Sequence, residues 1–318
     1  MRKTQLIVFS QVGLILCVYQ GVWPPPIIPL LDPTPETLPK HRSTSWRPYK
    51  PMEYHLTMGL SALEPSQWIQ IDNGYSERIA KRKALIEKYP TVAYGFSPEI
   101  VPSIEELYEY LLGYYLPRRY PGLFRAVIRN GLGPTGEESW FENLVTGECH
   151  PITPPTRTAL ATGSEQAQAA SCLLRVIGTT IEEDFLLLLP DSLLPNGGGG
   201  SEYKMRAFCV CFPSSFNAPG LLGKLLAAIH IPVPGYKEKL QMSMDRFFAR
   251  TLVGKPWRRW NWTITTHSEL CVPQGNEIYE KGMPKPVEND DPAEVCLAES
   301  SFWLLVADGY SNPGSTSS

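Results

Sequence analysis

Apolar side chains recur at helical spacing in four segments of the chain. Ser103 and Glu106 form a capping box ahead of one such series, which predicts a helix beginning at Ser103. In the segment 236–252, Met244 and Phe248 belong to an apolar stripe that is typical of a half-buried helix. Further helices are predicted over 75–89 and 219–229.

Short apolar or alternating runs bounded by turn residues predict strands. The predicted strands cover residues 123–129, 173–177, 184–189, 205–212 and 259–265. In the last of them, Trp260, Trp262 and Ile264 alternate with more polar residues, as in a strand with one buried face. Because several strands follow one another without a helix between them, the sequence favours the α+β class, with an antiparallel sheet flanked by helices.

The first 23 residues have the pattern of a signal sequence or membrane anchor. Arg2 and Lys3 precede an apolar run from Leu6 to Trp23. No small-residue cleavage site follows, which favours a retained single-span anchor with the body lumenal or extracellular. Cleavage and secretion, or a buried N-terminal segment, are the alternatives.

Proline and polar content then set the expected domain boundaries. Residues 24–51 are proline-dense and predict an extended linker, because each proline ring fixes φ and removes a hydrogen-bond donor. The folded domain is expected over 52–275. Residues 276–318 are rich in polar residues and proline and predict a disordered tail.

Composition limits the classes of function. Of the 318 residues, 43% are hydrophobic and 19% charged, which suits a globular protein and excludes a multispan membrane protein. With 29 basic and 32 acidic side chains the net charge is −3, so a nucleic-acid partner is not expected. The chain has no C-x-x-C pair and no H-E-x-x-H, so neither a zinc ribbon nor a multi-histidine metal site is expected.

One histidine follows an apolar helical run whose end is enforced by prolines. His230 comes directly after residues 225–229, and Pro232 and Pro234 prevent the helix from continuing. A single neutral imidazole held beside leucines suits the proximal ligand of a haem iron. The position also suits an imidazolium at a helix C-terminus, and on the residues alone this structural interpretation is favoured over the haem ligand.

Several motifs together resemble a known family. They are Met-Gly-Leu at 58–60, Trp-Ile-Gln-Ile-Asp at 68–72, Glu-Glu-Asp-Phe at 182–185, Ala-Phe-Cys-Val-Cys-Phe-Pro-Ser at 207–214, G-K-L-L-x-x-I-H-I-P-V-P at 223–234 and Arg-Arg-Trp-Asn-Trp-Thr-Ile at 258–264. Over residues 54–273 the chain resembles the haem-dependent oxidative N-demethylase family. Members of that family continue into an Arg-rich block and a final strand, whereas this chain has Ala-Glu-Ser-Ser-Phe-Trp at 298–303. A strand of the sheet is therefore expected to be missing.

The resemblance implies a PAS-like haem-binding fold and a reaction. The expected reaction is oxygen-dependent removal of a methyl group from a small secondary amine such as dimethylamine. The cofactor would be haem b, with electrons from NADPH delivered by a separate flavin or iron–sulfur reductase. A non-catalytic haem-binding or sensory PAS-like module is the alternative function, and a scaffold that has lost its cofactor is a weaker one.

The resemblance also moves His230 from the structural interpretation to the role of iron ligand. The other expected site residues are Arg246, Arg250, Arg258 or Arg259 for the haem propionates, Glu183 or Asp184 as the catalytic carboxylate that meets the ammonium group, and Trp260 or Trp262 as aromatic walls, with Trp260 also against the cofactor. For each of these, a surface or core role without chemistry is the alternative.

Overall fold

In the computed structural model, the chain forms two antiparallel sheets with helices around them. The structure describes residues 2–9, 26–39, 58–130, 137–154, 163–191, 202–213, 217–252, 254–265 and 296–309. The strands within these residues are β1 (Arg2–Phe9), β2 (Leu60–Ala62), β3 (Tyr94–Phe96), β4 (Phe124–Asn130), β5 (Glu137–Asn143), β6 (Cys149–Pro151), β7 (Phe185–Pro190), β8 (Tyr203–Cys209), β9 (Trp257–Thr265) and β10 (Cys296–Gly309).

The main sheet has seven strands in the described part of the chain, in the order β2-β9-β10-β1-β7-β8-β3. Each neighbouring pair is antiparallel. A second antiparallel sheet has the order β4-β5-β6. Helices flank these antiparallel sheets, so the α+β class predicted from the strand order is confirmed.

The helices connect and cover the sheets. They are α1 (Tyr75–Lys88), α2 (Pro90–Ala93), α3 (Val101–Glu109), a π-helical turn (Tyr110–Tyr115), α4 (Leu116–Arg119), α5 (Gly163–Gly178), α6 (Ala218–Leu221), α7 (Leu226–Ile229), α8 (Tyr236–Lys239) and α9 (Gln241–Arg250). Helix α3 runs directly into the π-helical turn and α4, so that one long helical segment lies beside α5. The helix expected from the capping box is present, but it begins at Val101, before Ser103.

The strand predicted at 173–177 is wrong, because these residues lie within helix α5. Ala170, Leu173, Leu174 and Ile177 are all buried, and they recur at the i, i+3, i+4, i+7 spacing of one helical face. A short apolar run does not distinguish a buried helix from a buried strand. The helical periodicity of the longer segment 163–178 is the feature that identifies the helix.

Two predicted helices are each divided in the structure. The segment 219–229 forms α6 and α7, separated by Gly223, whose φ of 82° lies in the left-handed region. Glycine reaches this region without a steric cost, so the chain reverses there. The segment 236–252 forms α8 and α9, which meet at Leu240.

Residues 26–39 of the expected linker contact the folded body. The Ile27 side chain is buried, and the Ile28 N–H donates to Ser66 Oγ at 2.7 Å. At Gly122 the Pro33 carbonyl comes so close that an added Cβ would lie 2.5 Å from it. The N-terminal half of this segment is therefore attached to the domain, whereas residues 40–51 lie outside the described part.

The expected membrane anchor at residues 1–23 is contradicted. Arg2–Phe9 is strand β1, which pairs with β10 on one side and β7 on the other. No helix among the described residues is long and apolar enough to cross a bilayer. The apolar residues at 6–9 include β-branched Ile7 and Val8, which suit a strand inside a sheet. An apolar run of this kind has the same sequence pattern as the start of a membrane-spanning segment, which is why an anchor was predicted. The predicted membrane-anchored localisation is thus wrong.

The C-terminal part of the chain supplies a strand where a disordered tail was expected. Cys296–Gly309 forms β10, which lies between β9 and β1 and pairs Leu304 with Ile7. The polar residues at 298–301 suggested a tail, but the apolar run Phe-Trp-Leu-Leu-Val at 302–306 follows them and has strong β propensity. The sheet therefore does not lack this strand. Residues 276–295 and 310–318 lie outside the described part.

A buried arginine joins helix α1 to the main sheet. Arg82 is fully buried and pairs with Asp184 at 2.5 Å (Nη1 to Oδ1). Its guanidinium also donates to the carbonyls of Gly178 (2.7 Å) and Glu182 (3.0 Å). A buried guanidinium is costly to desolvate and is tolerated only when such partners surround it.

We expect Arg82→Met to lower the free energy of unfolding by about 3–5 kcal/mol, because it leaves the buried Asp184 carboxylate without its partner. Urea denaturation followed by circular dichroism measures this change. The matched control is Lys81→Met, which breaks only the exposed pair with Glu77 and should cost at most about 1 kcal/mol. Equal effects of the two substitutions would contradict the assigned role of Arg82.

Candidate functional site

His230 lies on a segment that the edge of strand β8 holds in place. The Gly223 N–H donates to the Met205 carbonyl at 2.8 Å, and the Met205 N–H donates to the Lys224 carbonyl at 3.0 Å. Strand β3 pairs only with residues 207–209 of β8, so this segment takes up the other end of the same edge. The main sheet therefore fixes the start of helix α7, which carries the histidine.

Prolines and a glycine end helix α7 at His230. The residue caps the helix with φ −95° and ψ 2°, and Pro232 and Pro234 follow it. Neither proline has an N–H with which to extend the helix. Gly235, with φ 72°, then turns the chain into α8. The sequence prediction of an enforced helix end at this histidine is confirmed.

The imidazole of His230 is held by one hydrogen bond and one ring contact. Its Nδ1 lies 2.8 Å from the Leu226 carbonyl oxygen, which accepts only if Nδ1 carries the proton. The ring stacks on Tyr236, with centroids 5.1 Å apart and an interplanar angle of 19°. Within the described part of the chain, Nε2 makes no hydrogen bond. This arrangement leaves the Nε2 lone pair available to a ligand.

The surroundings of His230 favour a neutral ring. Burial lowers the pKa of His230, and the positive charge of Arg259 lowers it further, against the opposing effect of the Leu226 carbonyl. A neutral imidazole with an Nδ1–H donated to a backbone carbonyl is the usual state of a metal-ligating histidine. The residues present therefore fit one axial ligand of a haem iron.

Tyr236 connects His230 to helix α9. The Tyr236 side chain is buried, and its hydroxyl donates to Met244 Sδ at 3.6 Å. Burial and the nearby Asp245 carboxylate raise the pKa of Tyr236 to about 12, so the phenol stays protonated at neutral pH. The stacked pair of rings thus has a fixed position relative to α9.

Among the arginines on α9 and β9, Arg259 lowers the pKa of His230 through its positive charge. Arg246 and Arg250 lie one turn apart on the exposed side of α9, opposite buried Met244. The positive charge of Arg259 thus contributes to the lowered pKa of His230, whereas the two helix arginines lie at the surface.

The remaining aromatic and basic candidates lie on β9. Arg258 Nε donates to Ser61 Oγ at 3.3 Å. The backbones of Trp260 and Trp262 pair with Ser301 and Glu299 of β10. The residues for which the sequence predicted an alternation of aromatic and polar positions therefore lie on a strand that is paired within the main sheet.

The acidic candidates belong to the buried cluster around Arg82. The Asp184 carboxylate accepts the N–H groups of Cys211 and Phe212, both at 2.8 Å, besides its pair with Arg82. Glu183 is likewise buried, and its carbonyl accepts from Arg82 at 3.1 Å. These contacts indicate that Asp184 has a structural role, joining helix α1 to the backbone that follows β8.

Sequence reasoning missed Arg82 and Tyr236. Arg82 continues the inward row of α1 formed by Tyr75, Ile79 and Ile86, so a charged residue in an apolar helical stripe was the available signal. No comparable signal marked Tyr236, because its contact with His230 depends on the turn at 235.

A small apolar cavity lies between α1, α2 and α6. Its volume is about 50 Å³, room for a few water molecules. Leu85, Val92, Val210 and Pro219 are among its walls. This cavity is far too small for a tetrapyrrole, and His230 is not among its lining residues.

Comparison with protein families supplies the context for this site. Residues 59–300 match the family described as haem-dependent oxidative N-demethylase, alpha subunit-like. None of the curated proteins compared with the chain matches it. The family description indicates dependence on haem, and the words alpha subunit imply a separate partner. Because the match covers most of the chain and includes both His230 and Arg259, the protein belongs to the haem-dependent oxidative N-demethylase alpha subunit-like family.

Proposed function

We propose that the protein is an oxidoreductase that removes a methyl group from a small secondary amine such as dimethylamine. The net reaction converts dimethylamine, dioxygen, two electrons and two protons into methylamine, formaldehyde and water. The proposed electron source is NADPH, through a separate flavin or iron–sulfur reductase. The observation that supports the proposal most strongly is the neutral, immobilised imidazole of His230 within the matched family region.

His230 would hold the cofactor, haem b, through Nε2. The Leu226 carbonyl orients the ring and Tyr236 supports its face, so little conformational freedom would be lost on binding. When bound, the haem would supply the dioxygen-binding iron and the oxidising chemistry, with histidine as a weaker electron donor than thiolate.

Arg259 is the proposed partner of a haem propionate. The proposal is supported by the positive charge of Arg259, which lowers the pKa of His230, whereas Arg246 and Arg250 lie at the surface of α9. Trp260 follows Arg259 on β9, and because successive residues of a strand alternate between its two faces, we propose Arg259 and not Trp260 for the face that meets the cofactor.

The carboxylate that meets the substrate ammonium group is proposed to come from the acidic residues Glu183 and Asp184. Asp184 is engaged by Arg82 and two N–H groups, which favours a structural role. Glu183 is buried near Tyr75 and Tyr120, whose pKa values its charge helps to raise. Glu183 is proposed as the carboxylate that meets the substrate ammonium group.

We expect haemin added to the purified chain to give a shifted Soret band that is lost in His230→Ala, because that substitution removes the axial nitrogen. Absorbance titration measures the effect. His150→Ala is the matched control, since His150 is also partly buried but lies beside Glu148 on another sheet, and it should titrate like the unchanged protein. Identical Soret bands in His230→Ala and in the unchanged protein would refute the ligand assignment.

We expect the haem-loaded chain to release formaldehyde from dimethylamine when it is supplied with dioxygen and with electrons from NADPH through a surrogate reductase. His230→Ala should abolish the release and His150→Ala should retain it. Formaldehyde is measured by a colorimetric or fluorescent assay over a range of pH. Haem binding with no release from any small secondary amine would favour the non-catalytic sensory module.

In the haem-free chain, we expect His230 to titrate below the ordinary pKa of 6.5 and to carry its proton on Nδ1 at pH 7. Long-range ¹H–¹⁵N NMR measures both, with His230→Gln to assign the signals. Since the unfolded chain takes up this proton at about pH 6.5 and the folded chain only at lower pH, the folded state loses stability as the pH falls through this window. An Nε2–H tautomer would contradict the assignment.

A further inference from the structure

The outer side of helix α9 forms a continuous exposed ridge. Met242, Arg246 and Arg250 follow one another at i, i+4 spacing, and all three are exposed. Residues at this spacing lie one above another on one face of a helix. The opposite face of α9 is buried through Met244 and Phe248, so the ridge points away from the core.

The charge around this ridge is opposite in sign to that of the whole chain. Residues 221–260 contain eight lysines and arginines but two acidic residues, whereas acidic residues outnumber basic ones over the full sequence. Lys237 and Lys239 are exposed on α8, the helix that directly precedes α9 and meets it at Leu240. In the described part of the chain, neither these lysines nor Arg246 and Arg250 form an ion pair with a carboxylate. We name Lys237, Lys239, Met242, Arg246 and Arg250 the basic ridge.

Large apolar side chains are exposed in the same stretch. Met242 is 68% exposed, Leu252 52% and Ile231, directly after His230, 75%. Exposed apolar groups among predominantly basic side chains are typical of interfaces that form transiently and under electrostatic steering.

The basic ridge lies directly outside the contact that leads to His230. Helix α9 carries Met244 on its inner side, Met244 accepts the hydrogen bond of Tyr236, and Tyr236 stacks on His230. A group bound on the outside of α9 would therefore be separated from the imidazole by this helix and one aromatic ring.

From these observations we propose that the basic ridge is the docking surface for an acidic electron-transfer protein that carries a flavin or an iron–sulfur cluster. The inference rests on the proposed function, which requires a separate reductase. A phospholipid surface with negative charge would also attract the lysines and arginines, but the ridge is short, and its acidic neighbours Glu238 and Asp245 suit a patterned protein surface better than a uniform anionic one.

The test uses the full chain and two acidic probes, a flavodoxin and a plant-type [2Fe–2S] ferredoxin, with affinity measured by calorimetry at low ionic strength. We expect at least one probe to bind, and the Arg246→Glu/Arg250→Glu variant to bind it about tenfold or more weakly. Lys237→Glu/Lys239→Glu, a second variant on the ridge, should weaken binding in the same direction. The matched control is Lys81→Glu/Lys88→Glu, on exposed positions of α1, which should change affinity about twofold or less.

Several outcomes would overturn the docking proposal. These are binding of neither probe, equal loss in the ridge and control variants, or ridge-dependent binding to phosphatidylserine vesicles without binding of either probe. Loss of the Soret band in Arg246→Glu/Arg250→Glu would assign these arginines to the propionates and would also overturn it.

Failure of the proposed function gives a different result. If the chain binds no haem but still binds a probe through the ridge, the docking surface is supported and the demethylase proposal fails. Conversely, His230→Ala should remove the Soret band and leave the probe affinity unchanged.

Discussion

The architecture depends on the burial of one guanidinium, that of Arg82. It lies on α1, yet its partners come from the end of α5, from the turn before β7 and from the Asp184 side chain. Asp184 in turn fixes the backbone that leaves β8, through the N–H groups of Cys211 and Phe212. One buried pair thus joins two helices to two neighbouring strands of the main sheet. Such a pair contributes little net stability over an apolar replacement of both groups, but the loss of either partner alone is costly.

Strand β8, one of these two strands, also determines where His230 lies. Strand β8 offers one end of its edge to β3 and the other to the segment at 223–225, and α7 begins there. The prolines after His230 stop the helix, and Gly235 returns the chain so that Tyr236 covers the imidazole. The position of the histidine is therefore a consequence of sheet topology and backbone restrictions, and its side chain adds the hydrogen bond to Leu226 and the stacking on Tyr236.

Local patterns in the sequence predicted the elements that have one strongly apolar face. The helix at 75–88 and the strands at 185–190 and 257–265 were expected nearly at their observed places. The short apolar run at 173–177 was misread, since five residues do not separate a strand from a helix. The two terminal strands were missed for a related reason. Both are interior strands, and β1 and β10 pair with each other across about 300 residues of sequence. The apolar residues of β1 therefore resembled a membrane anchor, and the polar start of β10 resembled a disordered tail.

The candidate site was predicted only in part. The end of the helix at His230 follows from Pro232 and Pro234 and needs no tertiary information. The pairing of Asp184 with Arg82 and the stacking of Tyr236 on His230 join residues through folding, and residue type alone does not reveal them. Arginine candidates on neighbouring elements looked equivalent in the sequence, and the structure distinguishes Arg259 from the exposed Arg246 and Arg250.

Coordination of the haem iron by His230 is measured most directly by resonance Raman spectroscopy of the haem-loaded, reduced chain, prepared with unlabelled and with ¹⁵N-labelled histidine. Coordination by His230 predicts a low-frequency iron–histidine stretching band that shifts on labelling and is absent from His230→Gly. A band that does not respond to histidine labelling, or one that persists in His230→Gly, would contradict the claim that this imidazole is the ligand.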